Sequence, residues 1–91
     1  MGFSAATKRL YNNGRVDIRL TWVASTSGNV TQYNIYRSLV QGGPYSLLAV
    51  VDSTLLFYDD IVTFYKIYYY VVTATDGATE SVNSNEASVT V

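Results

Sequence analysis

From Arg15 to Ala24 the chain reads Arg-Val-Asp-Ile-Arg-Leu-Thr-Trp-Val-Ala, and this run limits the possible folds more than any other. Side chains alternate faces along an extended strand. Val16, Ile18, Leu20, Trp22 and Ala24 therefore share one side, and Arg15, Asp17, Arg19 and Thr21 share the other. The segment is a half-buried β-strand with one apolar and one wet face. Trp22 is expected in the core, packed near Tyr33, Tyr68 and Val72.

The same pattern recurs along the chain. β-Branched and aromatic residues dominate, Pro44 is the one proline and no long charged helix face appears, so strands are favoured throughout. Ala6–Asn12 reads as a first strand. Asn12-Asn13-Gly14 is its turn, since Asn and Gly tolerate the positive φ of a tight hairpin. The Trp22 strand follows, then a polar loop over Ser25–Asn29 and a strand over Gln32–Ser38 with Tyr33 and Ile35 inward. Gln41-Gly42-Gly43-Pro44 breaks the pattern before a strand over Tyr45–Val51 and a short one over Leu55–Tyr58. Tyr68 to Ala74 is the most apolar stretch, with Tyr68, Tyr70, Val72 and Ala74 inward and Tyr69, Val71 and Thr73 outward. After an Asp76-Gly77 turn, Ala87, Val89 and Val91 form a last strand, within which the chain ends as if cut at a module boundary. Seven short strands with evenly spaced turns predict an all-β sandwich, one domain over residues 1–91.

Ninety-one residues bury only ~60–65% of the surface they expose when unfolded, so the core has little surplus. Nine tyrosines, three phenylalanines and one tryptophan compensate, each removing ~150–250 Å² from water. Cysteine is absent, which excludes a disulfide framework and a thiolate metal site. Six basic and seven acidic side chains give a net charge of −1, and a pI of about 5.0 argues against a nucleic-acid partner. No apolar run approaches the ~20 residues of a membrane span. Met1–Thr7 has neither a basic start nor an apolar stretch, so no signal peptide is read there, and an exported form is expected as part of a larger protein.

Trp22 on the second strand, Tyr33-Asn-Ile-Tyr-Arg37 on the third and Tyr68-x-Tyr-x-Val-x-Ala74 on the sixth together resemble a fibronectin type III domain. The resemblance runs from about Ala6 to Val91 and implies a seven-stranded antiparallel, immunoglobulin-like sandwich. Tyr68 matches the family's tyrosine corner, which implies a hydroxyl bonded to backbone around Val62–Tyr65. Val62 stands where the family usually has leucine. Tyr-Asn-Ile-Tyr-Arg-Ser, Gly-Gly-Pro-Tyr, Tyr-Tyr-Val-Val-Thr-Ala and Ser-Asn-Glu-Ala look especially like the bacterial members, which sit between the domains of secreted enzymes and also on phage virions. Two features depart from the family. The first strand lacks the leading proline, and the Asp59–Lys66 loop carries Ile61, Phe64 and Tyr65 in place of Gly or Pro.

Catalysis fails on inventory. Without histidine or cysteine, neither a Ser-His-Asp nor a Cys-His arrangement can be assembled. Asp59-Asp60 is the one adjacent carboxylate pair, but neighbours on extended chain point to opposite faces. A glycosidase needs two carboxyls facing one sugar ring, so the pair reads as a solvated strand end. Asp59, Asp60 and Asp76 lack the spacing of a calcium loop, and no metal or cofactor is expected. Gly42-Gly43-Pro44 lacks the lysine and helix of a phosphate cradle, and the Asn29-Val30-Thr31 sequon reads as loop chemistry.

The feature that stands out is aromatic. Tyr36 should face outward from the third strand, and Tyr69 and Val71 outward from the sixth, with the two tyrosine rings close enough to touch. Such outer pairs ordinarily cover a sheet, and they also suit a neighbouring domain or a sugar ring. The expected function is a non-catalytic spacer or interaction module of a larger extracellular or virion protein, its partners being neighbouring domains or other proteins. The alternative is a carbohydrate-binding accessory module of a secreted glycoside hydrolase, with polysaccharide as partner.

Overall fold

The computed structural model describes residues 3–10, 16–26, 28–62 and 66–91. They form β1 (Phe3–Leu10), β2 (Val16–Trp22), β3 (Gln32–Ser38), β4 (Ser46–Asp52), β5 (Phe57–Val62), β6 (Ile67–Thr75) and β7 (Ala87–Thr90). All pairings are antiparallel, in one sheet of order β1-β2-β5 and another of order β4-β3-β6-β7. No helix among the described residues is long and apolar enough to cross a membrane. The third strand has the expected bounds. The first begins at Phe3 rather than Ala6 and is described as far as Leu10, and its expected end at Asn12 and the Asn12-Asn13-Gly14 turn lie outside the described residues.

The alternation of β2 becomes the inner face of its sheet. Val16, Ile18, Leu20 and Trp22 are all buried, and the opposing sheet contributes Tyr33, Ile35, Tyr68, Tyr70, Val72 and Ala74. Trp22 and Tyr33 meet with ring centroids 5.6 Å apart at 60°, the tilted arrangement aromatic quadrupoles prefer. Ala24 lies past the end of the strand and is exposed. Tyr68 belongs to the same core but toward its other end. It opens β6 opposite Val89 and sits under the Arg37 guanidinium, 5.7 Å from its ring centroid, whereas Trp22 closes β2. Of the Val62–Tyr65 segment expected to bond the Tyr68 hydroxyl, residues 63–65 lie outside the described residues; Tyr68 is buried as expected, and Val62 is buried beside it in the core cluster.

The stretch expected as a loop from Asp59 is strand as far as Val62. Val16 pairs with Val62, Ile18 with Asp60 and Leu20 with Tyr58, which puts Asp60 on the core-facing side. Asp60 is therefore buried, not a solvated strand end. A carboxylate in that position needs partners, and it has them from the other sheet. Arg37 Nη1 lies 2.9 and 3.1 Å from its two oxygens, and the Tyr70 hydroxyl donates at 2.7 Å. Asp59 takes the opposite face, as its parity requires, and pairs with Arg19 at 2.8 and 2.9 Å.

Beyond Thr75 the chain turns at Asp76, whose carboxylate accepts from the backbone of Ala78 and Thr79. It then returns along β6 without forming regular strand. Ser81 and Ser84 act as two-handed clamps there. Each donates its backbone N–H to a β6 carbonyl, of Ala74 and Val72, and accepts that residue's N–H on its own Oγ. Four backbone groups of β6 are satisfied this way before regular pairing resumes at Ala87.

The strands run lengthwise in a body of 41 × 25 × 18 Å. β1 starts beside Trp22 at one pole, and β7 finishes beside Ile67 at the other, where the Val91 N–H bonds the Lys66 carbonyl. Phe3 and Thr90 thus mark opposite poles.

Candidate functional site

The outward-facing residues of the β4-β3-β6-β7 sheet form the candidate face. Register places Tyr36 directly opposite Val71, and Tyr69 opposite Ser38 and Ser88. Tyr36 and Tyr69 are both half-buried, as expected, but they stand on a diagonal and their rings do not pair. Tyr36 is drawn away from Tyr69, because its hydroxyl donates to Glu80 at the far edge of β6.

Val71 corrects a second expectation. It faces away from the core yet is only 2% exposed, and Thr73 on the same face is equally buried. The cover is a side-chain roof that strand parity does not reveal. Glu80 Oε2 accepts from Tyr36, from Thr73 Oγ1 and, at 3.0 Å, from Asn34 Nδ2. Glu86 Oε2 accepts from the Tyr45 hydroxyl and, at 2.8 Å, from the Gly42 N–H. Tyr45 precedes β4 at one edge of the sheet and Glu86 precedes β7 at the other, so their bond spans the outer face above Ser38 and Val71.

The β3–β4 turn delivers Tyr45 to that position. Gly42 and Gly43 adopt φ of 79° and 93°, and a Cβ on Gly43 would lie 3.0 Å from the Tyr45 ring. Only glycine meets both conditions without strain. Burial, and then the bond and charge of Glu86, push the Tyr45 phenol up to about 12. The Tyr36 phenol is raised by its bond to Glu80, while bonds from Thr73, Tyr36 and Asn34 hold the Glu80 carboxyl below the usual carboxylate range. Beside the roof runs a groove lined by Tyr36, Tyr45, Thr73, Glu80, Val82 and Asn83. Sequence reasoning found Tyr36 but missed Tyr45, Glu80 and Glu86, which have no period to mark them.

Two packed antiparallel sheets with filled inner faces define a β-sandwich module. No family model matches the chain. Over 80 residues it is 41% identical to an amylopullulanase of Thermoanaerobacter thermohydrosulfuricus, covering 87% of this chain but 5% of that protein. The β-1,2-glucanase of Parabacteroides distasonis contains the same fold at a TM-score of 0.81 with 27% identity, over 99% of this chain and 12% of that one. An Fn3-like protein from Clostridium thermocellum superposes at a TM-score of 0.70 with 31% identity, over 97% of this chain and 88% of that one. The chain belongs to the fibronectin type III-like family. It is a non-catalytic domain that spans about a twentieth of the amylopullulanase it matches.

Proposed function

We propose that this module serves inside a larger, secreted glycoside hydrolase, where it fixes the distance and orientation of the domains on either side. The observation that carries this reading is a match along 87% of the chain to a 5% segment of an amylopullulanase. The fold suits the task, because the first and last strands reach opposite poles of a body 41 Å long. The hydrolase context is favoured over a virion because the relatives are named as hydrolases.

Exchanging the module for a Gly/Ser segment of equal length in the native polypeptide tests this reading. Hydrolysis of polymeric pullulan should fall, while hydrolysis of a short oligosaccharide stays unchanged, because only the polymer engages several domains at once. Unchanged hydrolysis of both substrates would contradict a spacing role.

A further inference from the structure

We infer that the outer face of the β4-β3-β6-β7 sheet is a binding groove for a neutral glucan chain, with the Tyr36 and Tyr45 rings as its floor. This inference rests on the accessory-module reading. Side chains on a strand normally stand perpendicular to the sheet, and adjacent strands lie about 4.8 Å apart. The Tyr36 hydroxyl nevertheless reaches across β6 to Glu80, and the Tyr45 hydroxyl reaches Glu86 on the β7 side. Rings tethered sideways in this manner lie along the sheet with a broad face outward. The residues beneath agree, since Ser38, Val71 and Thr73 are 7%, 2% and 2% exposed although all three face away from the core.

A tethered ring has already given up its rotamer freedom, so a ligand stacking on it does not bear that cost. Sugars present apolar C–H faces and hydroxyl rims, and the groove offers a match for each. Val82, 87% exposed, adds an apolar wall. Among the described residues the three bonds to Glu80 all fall on Oε2, which leaves Oε1 to accept a sugar hydroxyl, and Asn83 stands exposed on the same rim. Charge selects among glycans. Glu80 and Glu86 disfavour a polyuronate by like-charge repulsion and leave a neutral chain as the fitting class.

Nuclear magnetic resonance titration of the labelled chain with maltohexaose, and separately with trigalacturonate, tests the groove. Saturable shifts centred on Tyr36, Tyr45, Val82 and Asn83 are expected with maltohexaose and none with trigalacturonate. Tyr36→Ala should weaken the association about tenfold. Because that change also uncovers Val71, Val82→Asp provides a second probe at an exposed position and should likewise weaken binding. Absence of saturable shifts with maltohexaose, shifts centred elsewhere, or stronger binding of trigalacturonate would overturn the inference. A module that binds no glucan but still loses polymer hydrolysis on linker exchange loses only the groove. One that binds glucan but tolerates the exchange loses only the spacing role.

Discussion

Arg37 of β3 and Asp60 of β5 meet across the sandwich, with Nη1 2.9 Å from Oδ2, and they tie the two sheets together through charge. Their side chains are 35% and 5% exposed, so the arginine keeps contact with water while the carboxylate does not. Burial pulls the Arg37 pKa down, but the bond and charge of Asp60 outweigh it and the net shift is upward. Tyr70 completes the arrangement, its phenol raised by burial and then by the Asp60 carboxylate.

Asp60→Ala should destabilise the fold by about 3 kcal/mol, because it strands the Tyr70 hydroxyl and removes the arginine's counter-charge. The joint change of Arg37→Met with Asp60→Leu should cost less than Asp60→Ala alone, since no unpaired charge remains. Urea unfolding measures both. A loss below about 1 kcal/mol for Asp60→Ala would show that the pair contributes little.

Trp22→Ala should cost about 3–5 kcal/mol through lost burial and the cavity left behind. Trp22→Phe should cost much less, because the phenyl ring keeps most of the packing and the indole Nε1, buried without a hydrogen-bond partner among the described residues, is removed. Thermal melts of the two variants check the order. Equal losses would contradict this order, because the phenyl ring still fills most of the volume that alanine leaves empty.

Much of this interior was legible in the alternation. It placed Trp22, Tyr33, Tyr68 and Val72 in the core, and the same parity that sent Tyr33 and Ile35 inward also sends Arg37 inward. An inward arginine demands a buried acid, and that was the available signal for Asp60. Val71 was misplaced because parity gives the side of a sheet and not what lies over it. Its cover comes from Tyr45, delivered by a glycine turn, and from glutamates on an edge segment held by serine clamps in place of ladder pairing. The Tyr45–Glu86 and Tyr36–Glu80 bonds bring together residues 41 and 44 positions apart, and no local pattern encodes them.

The roof predicts how stability depends on pH. Glu80 has a lowered folded pKa, so its contribution is present above its unfolded value of about 4.3 and is lost as pH falls through the folded value. Tyr45 has a raised folded pKa, so its contribution is present below about 10 and is lost as pH rises from there toward about 12. Glu80→Gln should flatten the acid limb of a stability–pH curve. Tyr45→Phe should reduce the alkaline slope without abolishing it, because Tyr36 and Tyr70 are raised as well. Unaltered limbs in both variants would contradict the assigned bonds.

The serine clamps should be visible in amide exchange. Ser84→Ala removes the acceptor of the Val72 N–H, which should then exchange at least about tenfold faster, while Ile35 in the adjoining strand stays protected. No change at Val72 would mean that its N–H is protected by something other than Ser84.

Distances between spin labels on the domains flanking the module, measured by double electron–electron resonance in the native polypeptide, test the spacing role most directly. A rigid body 41 Å long should give one narrow distance distribution. The Gly/Ser replacement should give a broad one, because a flexible chain of that length has a root-mean-square span of about 50–60 Å with wide scatter. A native distribution as broad as that of the replacement would contradict a module that sets distance and orientation.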